Sequence, residues 1–459
     1  MTTELPPWFR HAGIRLMERA RRTHALRLLP PLLTSQWWEP ERLSLLQRER
    51  LLALLRFCRD EVPFYRESFH RCALDPEAEH PEEQLLRLPV LSKKQVRAAG
   101  DTLHAASFRR WQPRLKSTSG STGVPLNYYL DRPSHSYQWG HLWRGWHQAG
   151  YRPGDRYATL SGGSLVPERV DLKQKVYLFL SGAVHLPSYH LTEAIMTRYA
   201  TLLSRRRVRF LYGYPSSLHL FASYVSSSFE GLPPLQAVFT TSESLGPKAR
   251  ESITAAFGCP VFDTYGCNDG GVYGFECAEQ AGFHVGTESV VLEVVDTGGR
   301  PVPEGEVGRI VVTNLAIRAM PLLRYATGDM GALTHERCTC GRGLVRIVSL
   351  QGRARDFVLT PRGHQVHGAF FNHFAPFYSA AWLDRFQIYQ PDRQRLVLRV
   401  VINREPTATE RETLFTALQK GLGEMDFQLE IMDDLELTRT GKFRVIVSDV
   451  ARSLEDQES

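Results

Sequence analysis

Apolar positions recur at helical spacing through the first hundred residues. Over residues 8–29, Ile14, Met17 and Leu28 fall among arginines. This predicts a basic amphipathic helix, lying on a membrane surface or packed on the main domain. Pro30-Pro31 is expected to end it. Over residues 40–58, Leu43, Leu45, Leu46, Leu51, Leu52, Leu54 and Leu55 give a second helix a broad apolar face, and Pro63-Phe64-Tyr65 breaks it. From about residue 116 the period changes. Short β-branched or aromatic runs at 157–160, 208–211, 237–240 and 261–262 alternate with helical patterns at 193–206, 216–228 and 247–257. Strands that alternate with helices predict α/β architecture with buried strands. From residue 289 the pattern turns β: a run at 290–295, a turn at Asp296-Thr297-Gly298-Gly299, and a run at 308–313 predict a hairpin-rich β subdomain. Past about 353, a helix at 369–376, a strand at 395–402, a helix at 407–422 and a closing strand at 427–432 predict a compact α+β unit.

Composition narrows the class. The chain has 459 residues, 42% hydrophobic and 23% charged, which fits a soluble globular protein with several folding units. Lys+Arg 56 against Asp+Glu 49 gives +7, a mild excess that suits a small anionic substrate without demanding nucleic acid. The basic residues are spread, so no nucleic-acid partner is expected. Seven cysteines, an odd and sparse set, point to a reducing compartment over a disulfide framework. The longest stretches free of charged residues, 210–229 and 363–383, are interrupted by Pro and His and make poor membrane spans. No signal peptide is visible, and a cytoplasmic protein is expected.

Five short segments carry candidate chemistry. Lys116-Ser117-Thr118-Ser119-Gly120-Ser121-Thr122-Gly123-Val124-Pro125-Leu126 offers five hydroxyls and two glycines, suited to surrounding phosphate oxygens, without the spacing of a Walker loop. Phe262-Asp263-Thr264-Tyr265-Gly266-Cys267-Asn268-Asp269 follows a candidate strand, where α/β sheets place ligands. Tyr265 can stack on a base, and Asp269 is a carboxylate suited to Mg²⁺. In Tyr325-Ala326-Thr327-Gly328-Asp329, the aspartate offers two acceptor oxygens to vicinal hydroxyls. Gly352-Arg353-Ala354-Arg355-Asp356 lies at the expected join between large and small units, and Thr440-Gly441-Lys442-Phe443-Arg444 sets a lysine on a glycine-containing loop.

In this order the five segments resemble the motifs of the adenylate-forming superfamily, and within it the phenylacetate–CoA ligase family. The resemblance runs over residues 117–444 and extends to the leader at Val62-Pro63-Phe64-Tyr65-Arg66. It implies a large α/β N-terminal adenylation domain over residues 1–353, with a helical leader over about 1–110 and a β subdomain. It also implies a mobile α+β C-terminal domain over 354–459. The implied activity is ATP-dependent activation of a small carboxylic acid as acyl-AMP, then transfer to a thiol such as coenzyme A. Ser117, Thr118, Ser119, Gly120, Ser121, Thr122 and Gly123 would line the phosphates. Tyr265 and Gly266 would meet adenine, and Asp329 and Arg353 the ribose. Asn268 would meet the α-phosphate, Asp269 would hold Mg²⁺, and Lys442 would stabilise the transition state of adenylation. The chain departs from the family pattern at Val124, where many members carry Lys, and at Asn268 and Asp269, where Thr and Glu are usual. Arg355 stands where Asp or Lys is usual. A carrier thiol, a sugar or an amine as acceptor, and a non-catalytic nucleotide-binding homologue, remain alternative readings.

Cys277, His284, Cys338 and Cys340 form a separate constellation, three thiolates and an imidazole, the donor set of a closed structural Zn²⁺ site. Some relatives of the resembled family carry zinc near this place, and His335 competes as fourth ligand. His364, His367 and His373 read as a packed or solvated group. Trp139, Trp143 and Trp146, at helical spacing, read as core or as the lining of an aromatic acid pocket. Neither the acid nor the oligomeric state is fixed by the sequence.

Overall fold

The leader folds as a run of helices, and its breaks fall at positions other than those the periodicity suggests. In a computed structural model, which describes residues 7–108, 114–117, 126–162, 165–166, 172–353, 356–372, 374–438 and 442–451, the first helix is Pro7–Arg21 and the second Ala25–Ser35. The chain turns at Arg22, which takes a φ of 52°. Pro30 and Pro31 lie inside the second helix instead of ending it. Each removes one backbone hydrogen bond, and the helix persists because Ala25, Leu29 and Leu32 are buried along one face. That face packs on the helix Arg132–His147, and a Cβ on Gly140 would meet Leu32 Cδ1 at 2.9 Å. Pro40–Glu61 forms as expected, and Pro63 opens the next helix, Pro63–Arg71.

The centre of the large unit is an 11-stranded sheet. Five neighbouring strands, Ala183–Pro187, Tyr157–Ser161, Phe210–Gly213, Ala237–Thr241 and Val261–Cys267, run parallel. The α/β alternation read from the sequence is present here, with Glu193–Arg205, Pro215–Ser228 and Pro247–Phe257 as the intervening helices. All residues of the strands Tyr157–Ser161, Phe210–Gly213 and Ala237–Thr241 are buried, as expected of parallel strands covered on both faces.

The β-rich segment is continuous with this sheet. Val272–Glu276 and Phe283–Val285 extend it antiparallel from Val261–Cys267. Arg346–Arg353, Tyr325–Thr334, Gly308–Asn314 and Val290–Val295 complete the far edge. The expected hairpin is there, with Val290 paired to Asn314 and Val295 to Arg309.

The leader is fastened to this edge by backbone and side-chain bonds. Leu91 N–H donates to Arg324 O at 2.8 Å, and Ala326 N–H donates back to Leu91 O at 3.0 Å. The Tyr65 hydroxyl donates to Pro321 O at 3.1 Å and accepts Leu323 N–H at 2.8 Å. Trp146 is fully buried and stacks on Phe239, with ring centroids 4.9 Å apart. It belongs to the core.

After Arg353 the chain leaves the large sheet. A second sheet carries the strands Asp426–Ile431, Arg395–Ile402, Leu383–Gln390 and Ile446–Ser448 in that order. The helix Ala408–Leu422 begins with a reciprocal cap between Thr407 and Glu410. The strand expected to close the unit is thus an edge strand, and Ile446–Ser448 forms the opposite edge. The single helix expected at 369–376 is two short ones, Gly368–Asn372 and Ala375–Ser379. Among the described residues no helix is long and apolar enough to cross a membrane.

Candidate active site

A cleft of about 760 Å³ opens at the carboxyl ends of the parallel strands and is walled by both units. Open α/β sheets bind ligands at this end, because the strands stop there and the loops diverge. The large unit contributes Glu243, Tyr265, Asp329 and Arg353, and the small unit Asp384 and Phe443. The strand ends are drawn tight beneath it. A Cβ on Gly213 would lie 2.1 Å from Leu160 O, so only glycine fits there. Ser242, in the cleft wall, holds a φ of 71°, a strained conformation of the kind that gathers at functional sites.

Asp329 sits between two residues expected from the sequence. Its Oδ2 accepts the Tyr265 hydroxyl at 2.7 Å, and its Oδ1 lies 3.2 Å from Arg353 Nε. Asp329 and Arg353 are cross-strand partners, and Arg353 Nη1 donates to Thr327 O at 3.0 Å. The preceding Gly352 has a φ of 93°, a conformation open to glycine at the point where the chain leaves the sheet. The Asp329 carboxylate raises the Arg353 pKa, and burial followed by the same carboxylate raises that of Tyr265. Arg353 is therefore a permanent cation and Tyr265 a neutral phenol.

Asn268 and Asp269 point to opposite sides of the chain. Asn268 is exposed and accepts the Tyr273 hydroxyl at 2.8 Å. Asp269 is 5% exposed and faces inward. It accepts Tyr325 O–H at 2.5 Å and Cys267 S–H at 3.1 Å, and Lys93 Nζ lies 3.4 Å away. Burial pushes its pKa up, yet Lys93 and the two donors hold it below the usual carboxylate range. Mg²⁺ needs several oxygen donors in near-octahedral order. Here an ammonium lies beside the carboxylate and the other two groups on it are donors. Asp269 therefore offers Mg²⁺ one carboxylate shared with Lys93, and the remaining oxygens of the expected site would come from phosphate and water. Lys93, from the helical leader, was missed because 176 positions separate it from its partner.

The small unit brings Lys442 to the cleft. Its Nζ lies 5.7 Å from the Tyr214 ring centroid. Leu437 and Phe443 pair across the base of the lysine's loop, and Lys442 N–H donates to Thr438 Oγ1 at 3.0 Å. Burial and then the nearby Arg353 lower the lysine's pKa, while Glu243 and Asp329 oppose them. Glu243 is the other residue the sequence reading missed. Its Oε1 accepts Phe443 N–H at 2.7 Å and its Oε2 accepts Ser216 N–H at 3.1 Å, at the start of the helix Pro215–Ser228. One carboxylate thus joins a helix N-terminus of the large unit to the lysine loop of the small one. Lys248 Nζ adds bonds to the carbonyls of Leu383 and Asp384. The signal for Glu243 was its place just after the buried strand Ala237–Thr241.

Cys277, His284, Cys338 and Cys340 do converge. One ligand atom from each lies within 4.8 Å of all the others. Cys277 Sγ and Cys338 Sγ are 3.9 Å apart, and Cys340 Sγ and His284 Nε2 are 3.5 Å apart. A tetrahedron with Zn–S of about 2.3 Å and Zn–N of about 2.0–2.1 Å has edges of about 3.8 and 3.6 Å, so the donor set fits. No disulfide links these cysteines. His335 is excluded as a ligand, being exposed and 3.4 Å from Glu304. The four residues tie the strands beside Glu276 and Phe283 to the turn at 338–341.

Of the expected phosphate loop only Ser117 is described. Thr118, Ser119, Gly120, Ser121, Thr122, Gly123 and Val124 lie outside the described residues, as do Arg355, Thr440, Gly441 and His373.

Comparison with known proteins gives this architecture its class. The AMP-binding enzyme family model matches residues 116–317, and the CapK C-terminal domain model matches residues 358–449. The chain belongs to the adenylate-forming, AMP-binding enzyme family and within it is phenylacetate–coenzyme A ligase-like. A phenylacetate–coenzyme A ligase of Thermus thermophilus is 30% identical over 337 residues, covering 71% of this chain and 74% of the relative. One of Pseudomonas putida is 26% identical over 330 residues, covering 68% and 71%. Among solved structures, 2-hydroxyisobutyryl-CoA ligase in the postadenylation state with R3-HIB-AMP has a TM-score of 0.70 at 22% identity, covering 90% of this chain and 91% of that one. The same ligase with 2-HIB-AMP and CoA in its thioesterification state has a TM-score of 0.58 at 23% identity, covering 92% and 93%.

Proposed function

We propose that the chain activates a carboxylic acid with ATP and passes the acyl group to the thiol of coenzyme A. The observation that supports this reading is that Lys442, next to Phe443 of the cleft wall, lies within electrostatic reach of Asp329 and Arg353. In the first half-reaction a carboxylate oxygen attacks the α-phosphorus of ATP. An acyl–phosphate bond forms, the bond to the β-phosphate bridging oxygen breaks, and pyrophosphate leaves. Negative charge grows on the phosphoryl oxygens, and the half-buried Lys442 nearby stabilises it. A donor of this kind contributes about 3–4 kcal/mol. Asp329 accepts from the ribose hydroxyls, with Arg353 holding its orientation, and Tyr265 and Gly266 border the base. Exposed Asn268 is free to turn toward the α-phosphate, and residues 117–123 meet the phosphates.

In the second half-reaction the thiol attacks the acyl carbon and AMP leaves. Lys442 has no part in this step, so the small unit, residues 354–459, swings away about the segment at Gly352. Support for coenzyme A as acceptor comes from the relatives, which are named as coenzyme A ligases. Cys277, His284, Cys338 and Cys340 would hold one Zn²⁺, which would supply a structural cross-link at the turn 338–341.

The test is AMP release from ATP and a panel of aryl, short-chain and hydroxy acids, with and without coenzyme A. The reading expects a burst of acyl-AMP without the thiol and steady turnover with it. A burst that coenzyme A does not convert to turnover would overturn the assigned acceptor.

A further inference from the structure

Two helices that share no residue with the cleft wall turn apolar side chains to solvent. Pro7–Arg21 and Leu172–Ser181 touch so closely that a Cβ on Gly13 would lie 3.1 Å from Leu180 Cβ. On the second helix, Leu172, Val176 and Phe179 recur at positions i, i+4 and i+7, on one face, and are 76%, 49% and 61% exposed. On the first, Trp8 and Leu16 lie two turns apart and are 71% and 64% exposed. Ile14 on the first helix and Tyr177 on the second line a cavity together with Trp139 and Trp143. Of fourteen large apolar side chains exposed among the described residues, six, with Phe9, belong to these two helices. An apolar patch this concentrated marks an interaction surface.

Among the described residues, the exposed charged groups on these two helices are cations. Arg15 and Arg19 are exposed and form no ion pair among the described residues, and Lys175 is exposed on the second helix. Glu18, the acid of the first helix, turns inward to accept Leu26 N–H at 3.1 Å. A cavity of about 280 Å³ abuts the end of the first helix, lined by Arg21, Arg114, Arg132 and His135. The carboxylate in its wall, Asp131, already accepts the backbone N–H groups of Ser134, Arg318 and Ala319, at 3.0, 2.6 and 3.0 Å. His135 Nδ1 is buried with no hydrogen-bond partner among the described residues. Among the described residues three arginines line this space and Asp131 is its one acid, so a phosphoryl group is the matching chemistry.

We propose that this face docks on an anionic phospholipid membrane, with the apolar stripes in the headgroup–acyl boundary and a lipid phosphate in the arginine cavity. Amphipathic helices with aromatic and aliphatic side chains beside Arg and Lys bind such surfaces in their plane. A second copy of the chain is the poorer occupant, because a two-fold contact would press the patch and its cations onto themselves.

Co-sedimentation of the full-length protein with vesicles tests this. One set is phosphatidylcholine and the other equal parts phosphatidylcholine and phosphatidylglycerol. Binding to the mixed vesicles is expected to be at least about tenfold tighter than to the neutral ones and to weaken with salt. Leu172→Ser with Phe179→Ser is expected to abolish it while adenylation stays within about twofold of wild type. Arg15→Glu with Arg19→Glu, both exposed, is expected to do the same should the apolar variant fold poorly. Equal binding to both vesicles, binding to neither, or a dimer that Leu172→Ser with Phe179→Ser makes monomeric would each overturn the proposal.

Discussion

Glu243 joins the two units at the lysine loop, and removing it is expected to slow one half-reaction and spare the other. In Glu243→Ala, Phe443 N–H loses its acceptor at 2.7 Å and Ser216 N–H its acceptor at 3.1 Å. The bond to Ser216 lies within the large unit, and that N–H regains water when the cleft is open. The bond to Phe443 exists only while the lysine loop is docked. A hydrogen bond to a charged acceptor contributes about 1.5–3 kcal/mol. Losing it lowers the docked population, and with it adenylation, by about 10- to 150-fold. Glu243→Gln presents an amide N–H₂ to one of the two donors and falls between wild type and the alanine variant. The assay is rapid-quench measurement of pyrophosphate release, set beside thioester formation from preformed acyl-AMP. Adenylation is expected to fall by the stated factor, with thioester formation within about twofold of wild type. An equal fall in both, or no fall in either, would refute the assignment of Glu243 to the docked state.

Other consequences follow from buried charge and from the metal site. Arg144 and Glu288 pair at 2.7 Å with almost no exposure, so Glu288→Ala leaves an uncompensated guanidinium and is expected to cost about 3–5 kcal/mol in urea unfolding. Burial and then Glu276 push the Asp263 pKa up to about 7. The folded state therefore binds this proton more tightly than the unfolded chain, and the stability it confers is present below about pH 4 and lost as pH rises through 7. Asp263→Asn, which keeps an acceptor for Thr240 and Thr264, is expected to flatten the fall in Tm between pH 5 and pH 8; an unchanged slope contradicts this. Elemental analysis of the purified chain is expected to give one Zn per chain, dropping well below one in Cys338→Ser. A wild-type value well below one would remove the metal from the account.

Four of the five parallel strands, and the helices Glu193–Arg205, Pro215–Ser228 and Pro247–Phe257, were legible because each is a short run with its own period, and period survives without tertiary knowledge; the edge strand Ala183–Pro187 and the helix Leu172–Ser181 were not read. The Cys and His set was legible as chemistry, since four soft donors have few other uses together, though only the fold showed that they meet. Three features were hidden for physical reasons. Pro30-Pro31 read as a stop, but burial of Leu29 and Leu32 offsets the two lost hydrogen bonds. The β-rich segment from residue 289 read as a subdomain, but its strand Arg346–Arg353 pairs with Phe283–Val285 and makes it part of one sheet. The inward turn of Asp269 was hidden because a carboxylate after a strand faces solvent as often as core. Only the position of Lys93, brought in by the leader, shows which way it turns.

The central claim is that the cleft makes an acyl-adenylate under Lys442. Acid-dependent exchange of radiolabelled pyrophosphate into ATP tests it directly, because it reports the first half-reaction whatever the acceptor. With wild-type protein the account predicts exchange for at least one acid of an aryl, fatty and hydroxy acid panel, and a loss of about 10²- to 10³-fold in Lys442→Ala. No exchange with any acid, or full exchange in Lys442→Ala, would contradict it.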